Sequence, residues 1–283
     1  GKLHPDIGIL WTGDKVVACI DKPTMQFVNP LLKRKAFIWW NFPVSDYVRD
    51  RLLLGAVYGN GTDIDDDISA FISNPMEHAE ASKIALFSIA DYAWNMDAYK
   101  SDASWRRAVR YLMPGHAAAL QVFASHNSDL GGNEHDFRRE ESEQIRPALE
   151  RLLDAYCREG KREVAAASAV TEECERMIAS ADLLLASDEN PALIKEISPW
   201  LMQFKLLGEY GREVLCMLAA QCDGKKTELE KAASHAKALQ VLMKKIDATY
   251  NQNGFQPGVK TGSCHLKPAF DRLYQEVVQR TGK

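Results

Sequence analysis

Three short apolar runs, each breaking off into polar residues, organise the N-terminal half of the chain. Phe37-Ile38-Trp39-Trp40 follows the basic stretch Lys33-Arg34-Lys35 without polar alternation, as a strand covered on both faces does. It passes into Asn41-Phe42-Pro43-Val44-Ser45-Asp46-Tyr47, where Pro43 stops further ladder pairing. Ile7-Gly8-Ile9-Leu10-Trp11 predicts a second short buried strand, ending at Thr12-Gly13-Asp14. Ile68 to Ser73 predicts a third, ending at Asn74 with Pro75 behind it. Between them Val16 to Ile20 is apolar, Pro23 to Pro30 predicts a short helix or loop, and Tyr47 to Leu54 closes the excursion after the Trp39 strand. Gly59-Asn60-Gly61 predicts a turn.

From Met76 to Tyr92 the period becomes helical, with Ala79, Lys83, Leu86, Phe87 and Ala90 on one face. A second helix is predicted over Trp105–Leu112, capped by Ser101-Asp102 or Ser104 and stopped before Pro114-Gly115. Strands with polar tips followed by helices are the units of a parallel α/β sheet. Beyond Gly131-Gly132-Asn133 only helical patterns follow. Ser142 suits the cap of a helix carrying Ile145, Leu149, Leu152 and Tyr156, and Val170 to Leu185 shows an amphipathic stripe. Asn190-Pro191 and Ser198-Pro199 each place a capping residue before a first-turn proline, predicting two helix starts. Further helices are predicted over Trp200–Cys222, Thr227–Tyr250 and Pro268–Arg280. The fold class is therefore α/β followed by all-α. The expected division is 1–135 and 136–283, with a linker near residues 131–141.

The bulk numbers narrow the function classes. Hydrophobic content of 46% and charged content of 26% are those of an ordinary soluble domain. A net charge of -4 and a pI near 6.0 argue against a nucleic-acid partner, which demands a clustered basic face. No apolar run approaches the ~20 residues that span a bilayer. The six cysteines show no CxxC spacing, so neither a disulfide scaffold nor a zinc site is expected; Cys264-His265 is the single adjacent Cys/His pair.

The chemistry suggested by residue type is carbohydrate binding. Residues just past the carboxyl ends of strands face the ligand in α/β folds. Tryptophans beside amides and carboxylates suit a sugar, because indole covers the apolar ring face while Asn and Asp fix hydroxyls. Asp65-Asp66-Asp67 are the tempting acid pair, since adjacent carboxylates in a dry pocket push one pKa upward. They follow Gly59-Asn60-Gly61-Thr62 in a polar loop, however, and read as a solvated loop or an acidic first helical turn. His126, Asn127 and Asp129 resemble a triad in composition only. His78 reads as packed at a helix start, and Tyr47 and Arg49 as pocket wall or ordinary surface.

The Phe37–Tyr47 stretch, with Trp11-Thr12-Gly13-Asp14 and Ser73-Asn74-Pro75-Met76-Glu77-His78 around it, resembles the bacterial members of glycoside hydrolase family 84. The likeness extends to His126-Asn127-Ser128-Asp129-Leu130-Gly131 and Asn251-Gln252-Asn253. It implies that residues 1–135 are the last three βα units of a TIM (β/α)8 barrel, followed by a C-terminal helical bundle domain. It also implies a retaining β-N-acetylglucosaminidase of the O-GlcNAcase type. Such enzymes use the substrate's own acetamido oxygen as nucleophile, an exception to the two-carboxylate scheme.

The resemblance puts the catalytic Asp-Asp pair upstream, so no catalytic residue is expected in this chain. Carried over by position, Asp46 implies a buried carboxylate binding outer sugar hydroxyls, and Asn74 a second hydroxyl contact. Asn41 implies an amide at the pocket base and Trp39 a wall around the acetamido methyl; Thr12 and Val16 imply rim and pocket contacts. No cofactor or metal is expected. The expected partners are an N-acetylglucosamine-bearing glycan or glycoprotein, the upstream half of the barrel and a second copy in a homodimer, with neither nucleic acid nor membrane. Bacterial relatives point to the periplasm or secretion. The competing reading is a non-catalytic carbohydrate-binding or helical protein-interaction module.

Overall fold

The computed structural model describes residues 2–128 and 140–282, which form two compact units. All but Glu140 and Glu141 of the expected linker, and Asp129 of the triad-like group, lie outside the described residues.

The first unit, built from Gly1–Val48 and Leu52–Ala117, holds a parallel sheet of order β1-β2-β3. Its strands are β1 (Leu10–Trp11), β2 (Ala36–Trp40) and β3 (Ile68–Ser73). In the register, Trp39 stands opposite Ile72 and Trp40 opposite Ser73, which brings both strands to their carboxyl ends together. β2 is the buried strand its composition predicts: Ala36, Ile38 and Trp40 are fully buried. β1 corrects the expectation of a five-residue buried strand. Only two residues pair, and Ile7 and Leu10 are 48% and 50% exposed. Among the described residues β1 has a neighbour on one side only, and an edge strand leaves its other side to solvent.

The ambiguous Pro23–Pro30 segment is α1 (Lys22–Leu32). Asp21 caps it, accepting from Thr24 N at 2.9 Å, Pro23 occupies its first turn, and Lys33 ends it in the left-handed region at φ 57°. α2 (Ala79–Trp94) and α3 (Ser101–Leu112) follow β3. Neither expected cap of α3 acts as one: Lys100 occupies the cap position without a side-chain bond, and Ser104 is buried within the helix.

The core is a chain of aromatic contacts. Trp40 meets Phe42 at 5.1 Å and Phe71 at 5.6 Å, Phe71 meets Tyr92 at 5.9 Å, and Tyr92 meets Tyr99 at 5.3 Å. Beside it the buried run Leu52–Val57 has no strand partner among the described residues, and side chains satisfy part of its backbone. Trp105 Nε1 donates to Leu54 O at 2.8 Å, Tyr99 Oη to Val57 O at 2.8 Å, and Val57 N to Ser88 Oγ at 2.9 Å.

The second unit, from Arg49–Arg51, Ala118–Asn127 and Glu140–Lys283, is helical. α4 (Ala117–Ser125), which no sequence pattern announced, contributes most of its length here. Its Ala-rich sequence has too few polar positions to show a period. α5 (Arg146–Glu159), α6 (Val164–Leu185), α7 (Pro191–Cys222), α8 (Lys226–Tyr250) and α9 (Leu266–Thr281) complete the bundle. A small hairpin of β4 (Asn251–Asn253) and β5 (Gln256–Pro257) joins the last two.

α7 is the hub, packing against α6, α8 and α9. It also corrects the expectation of two helix starts. Asn190 does cap it, accepting from Leu193 N at 3.3 Å, but Pro199 lies inside one continuous helix of 32 residues. A proline there cannot donate to the carbonyl four residues back. Ser198 Oγ donates to that carbonyl, Lys195 O, at 3.1 Å instead. Gly208 and Gly211 let α6 approach: a Cβ on Gly211 would stand 2.5 Å from Phe270 Cε2 and 2.8 Å from Cys174 Sγ.

Ser142 is not a cap either. It sits at φ 60°, α5 starts at Arg146, and the hydroxyl bonds His126 Nδ1 at 2.7 Å. His126 Nε2 in turn meets Glu173 Oε1 at 2.7 Å, and Arg176 pairs with the other carboxylate oxygen. Burial acts to raise the Glu173 carboxyl, but the bond to His126, aided by the charges of His126 and Arg176, outweighs it and holds the group below its ordinary range. A second buried carboxylate, Glu141, accepts from Cys264 N and His265 N at 3.2 and 3.1 Å, at the amino end of α9.

Two outcomes are expected. Gly211→Ala gains helix propensity of about 1 kcal/mol but forces Phe270 or Cys174 aside, so urea melts should show a net loss of about 1–3 kcal/mol. A carboxyl whose folded pKa is depressed gives stability that is fully present above the unfolded value, ~4.3 for Glu, and is lost as pH falls through the folded one. Urea midpoints should therefore drop as pH falls from about 5 to 3, and Glu173→Gln should make that drop shallower.

Candidate functional site

Because the three strands run parallel, their polar ends share one edge of the sheet. There Asn41, just past β2, accepts two hydrogen bonds on its side-chain oxygen: from Trp39 Nε1 at 2.8 Å and from Asn74 Nδ2 at 3.1 Å. Two donors on one oxygen settle which way the amide points. Its nitrogen is then turned to Val16, donating to the backbone carbonyl at 2.8 Å. Asn74, just past β3, is tied by its backbone N to Trp40 O at 3.0 Å. Four of the six expected residues thus form one bonded cluster: Trp39, Asn41, Asn74 and Val16. Trp39, Asn41 and Asn74 are half-buried.

Val16 joins through its main chain only, since its side chain is 67% exposed. Thr12 stands half-buried directly after β1 and makes no bond to the cluster among the described residues. Asp46 corrects its expectation. It is exposed, on the turn closed by Val48 N to Ser45 O at 2.9 Å, after the cis Phe42–Pro43 bond. Partial burial, reinforced by the charge of Asp46, raises the Tyr47 hydroxyl far above its ordinary value, so Tyr47 remains a neutral donor.

One contributor went unnoticed in the sequence. Ser73, the last residue of β3, donates from its hydroxyl to Phe42 O at 2.7 Å and anchors the turn that carries Asp46. Its signal was a polar residue at a strand end, the same signal that marked Asn74.

The remaining candidates lie elsewhere. Asp65–Asp67 form a 3-10 turn that leads into the amino end of β3, so the whole strand of six residues, about 20 Å, separates them from Asn74. Lys22 Nζ holds Asp67 at 2.7 Å. His126 belongs to the helical unit, and Arg49 lies there over the Phe255 ring at 5.1 Å. Among the described residues no group of His, Cys, Asp and Glu is arranged to hold a metal ion, and no helix is long and apolar enough to cross a membrane.

Residues 1–125 match the family described as beta-N-acetylglucosaminidase, and residues 141–274 match the bacterial GH84 post-catalytic domain. The protein O-GlcNAcases of rat and mouse are each 35% identical over 103 residues, 36% of this chain and 11% of theirs. Among solved structures, CpGH84B superposes with a TM-score of 0.85 at 25% identity, covering 96% of this chain and 45% of that one. CpGH84D gives 0.85 at 26%, covering 98% and 46%. A Thermobaculum terrenum O-GlcNAc hydrolase mutant gives 0.78 at 21%, covering all of this chain and 58% of that one, a likeness of fold alone. This chain therefore spans about half the length of these solved relatives or less, and both of its parts belong to one family: it is a member of glycoside hydrolase family 84.

Proposed function

We propose that this chain supplies the sugar-binding side of a retaining β-N-acetylglucosaminidase of the O-GlcNAcase type. In this reading residues 1–135 are the last three βα units of a (β/α)8 barrel and residues 136–283 its helical domain. An upstream segment brings the catalytic Asp-Asp pair and pairs with the open edge of β1. The carrying observation is the Trp39–Asn41–Asn74 cluster at the carboxyl ends of parallel strands, where barrel enzymes bind their ligands. The exposed Leu10 on β1 and the half-length coverage of the solved relatives support the remainder.

The chemistry follows from the geometry. Asn74, held by one of its amide hydrogens, offers its oxygen and its second hydrogen to sugar hydroxyls. Trp39, fixed through its indole nitrogen, offers its ring to the acetamido methyl. Asp46 accepts hydroxyls, and because it is exposed, its bonds gain strength once a ligand displaces water. The nucleophile is the substrate's own acetamido oxygen, so this wall orients the sugar for that attack, and the upstream acids polarise the acetamide and protonate the leaving oxygen. The substrate class is a glycoprotein or glycan ending in N-acetylglucosamine.

The test is hydrolysis of a chromogenic N-acetyl-β-glucosaminide by the protein extended upstream through its Asp-Asp pair. Asp46→Ala should lower kcat/KM about 10- to 100-fold, matching the ~1.5–3 kcal/mol of a hydrogen bond to a charged group. Asn74→Ala should lower it about 3- to 10-fold, and Asp65→Asn with Asp66→Asn should leave it within about twofold. The 283-residue chain alone should hydrolyse nothing. Hydrolysis by that chain would refute the upstream placement. Binding without hydrolysis by the extended protein would favour the non-catalytic module.

A further inference from the structure

The helical unit contains a half-open cavity of about 550 Å³, lined by α7, α8, α9, the segment between the hairpin and α9, and Arg51. That volume is in the range of small-molecule sites. It lies wholly within the helical unit and shares no residue with the cluster at the strand ends.

Among its lining groups, Gln203 Oε1 and Thr261 Oγ are buried polar atoms without a hydrogen-bond partner among the described residues. Gln203 is only 5% exposed, and its Nε2 donates to Met243 O at 3.2 Å and Val259 O at 3.3 Å. This fixes the amide and leaves Oε1 with no donor. The Thr261 hydroxyl, in a residue 4% exposed, likewise has no hydrogen bond. Buried polar groups are rarely left so, and a ligand in the cavity is one way to supply the missing partners. Gln203 Oε1 requires a donor, whereas Thr261 Oγ serves a donor or an acceptor.

Charge narrows the class. Four of the lining residues are basic and two acidic. Lys260 is engaged with Asp50 at 2.5 Å and Lys267 with Asp271, while Asp247 Oδ1 accepts from Val259 N at 3.0 Å. Lys244 makes no ion pair among the described residues. The cavity therefore offers an unengaged cation beside two orphaned hydrogen-bonding groups, with Met243 as an apolar surface.

We propose that this cavity is a second small-molecule site, for a monosaccharide that carries a single carboxylate or phosphate. A ring hydroxyl donates to Gln203 Oε1, another bonds Thr261 Oγ, and the acidic group meets Lys244. A neutral sugar satisfies the orphans but not the lysine. A bare anion satisfies the lysine but not Gln203.

Isothermal titration of the 283-residue chain with glucuronate, glucose 6-phosphate, glucose and inorganic phosphate tests this. At least one of the two acid sugars should bind with a sub-millimolar Kd, and glucose and phosphate at least about tenfold more weakly. Which acid sugar binds tells a carboxylate ligand from a phosphate one. Lys244→Glu, on an exposed position, and Thr261→Val, a swap of similar shape that deletes the orphan hydroxyl, should each weaken binding about tenfold without lowering the melting temperature. Absence of acid-sugar binding up to about 10 mM would overturn the proposal. So would equal binding of phosphate, or binding indifferent to both substitutions.

Discussion

Parallel pairing of β2 with both of its neighbours is the constraint on which the candidate site depends. Parallel strands bring their carboxyl ends to the same edge, so residues from three distant points of the chain arrive together. The ladder alone does not position side chains to within hydrogen-bonding distance. That is achieved by Asn41, whose oxygen takes the Trp39 and Asn74 donors and whose nitrogen takes the Val16 carbonyl. The buried aromatic chain from Phe42 through Trp40 and Phe71 to Tyr99 secures the same strands from below. The side chains at the rim thus rest on a ladder and an aromatic core.

The helical unit is assembled on a different principle. Its stability comes from helix packing around α7, and its buried polar groups include two satisfied carboxylates and, at the cavity, two groups that are not satisfied. Glu173 and Glu141 show how a buried acid is tolerated: one is bonded to a histidine and an arginine, the other to backbone amides at a helix start. Gln203 and Thr261 stand apart from that pattern.

Much of this was legible in the sequence wherever one residue type has one physical use. The polar tips of strands at Asn41 and Asn74, the proline stops behind them and the helical stripes of the second half were all visible, because periodicity and strand termination are local. What escaped depended on neighbours far along the chain. The exposure of β1 follows from what pairs with it, not from its composition. Asp46 was expected to be buried, yet a turn anchored by Ser73 sets its exposure. Ser142 looked like a cap because Ser usually is one, but a buried histidine 16 residues away claims its hydroxyl. Pro199 looked like a helix start because the serine before it can cap; that same serine instead repairs the helix the proline would break.

The continuity of α7 has a consequence for how the protein can be divided. A helix of 32 residues, about 48 Å long, touches three of the other helices along its length. Had Pro199 begun a new helix, the bundle would have had a natural seam at which a smaller module could be cut or a domain inserted. Without a seam, loss of part of α7 takes away part of the partner that α6, α8 and α9 share. The helical unit should behave as a single cooperative block, carried or lost whole when the gene is shortened or recombined.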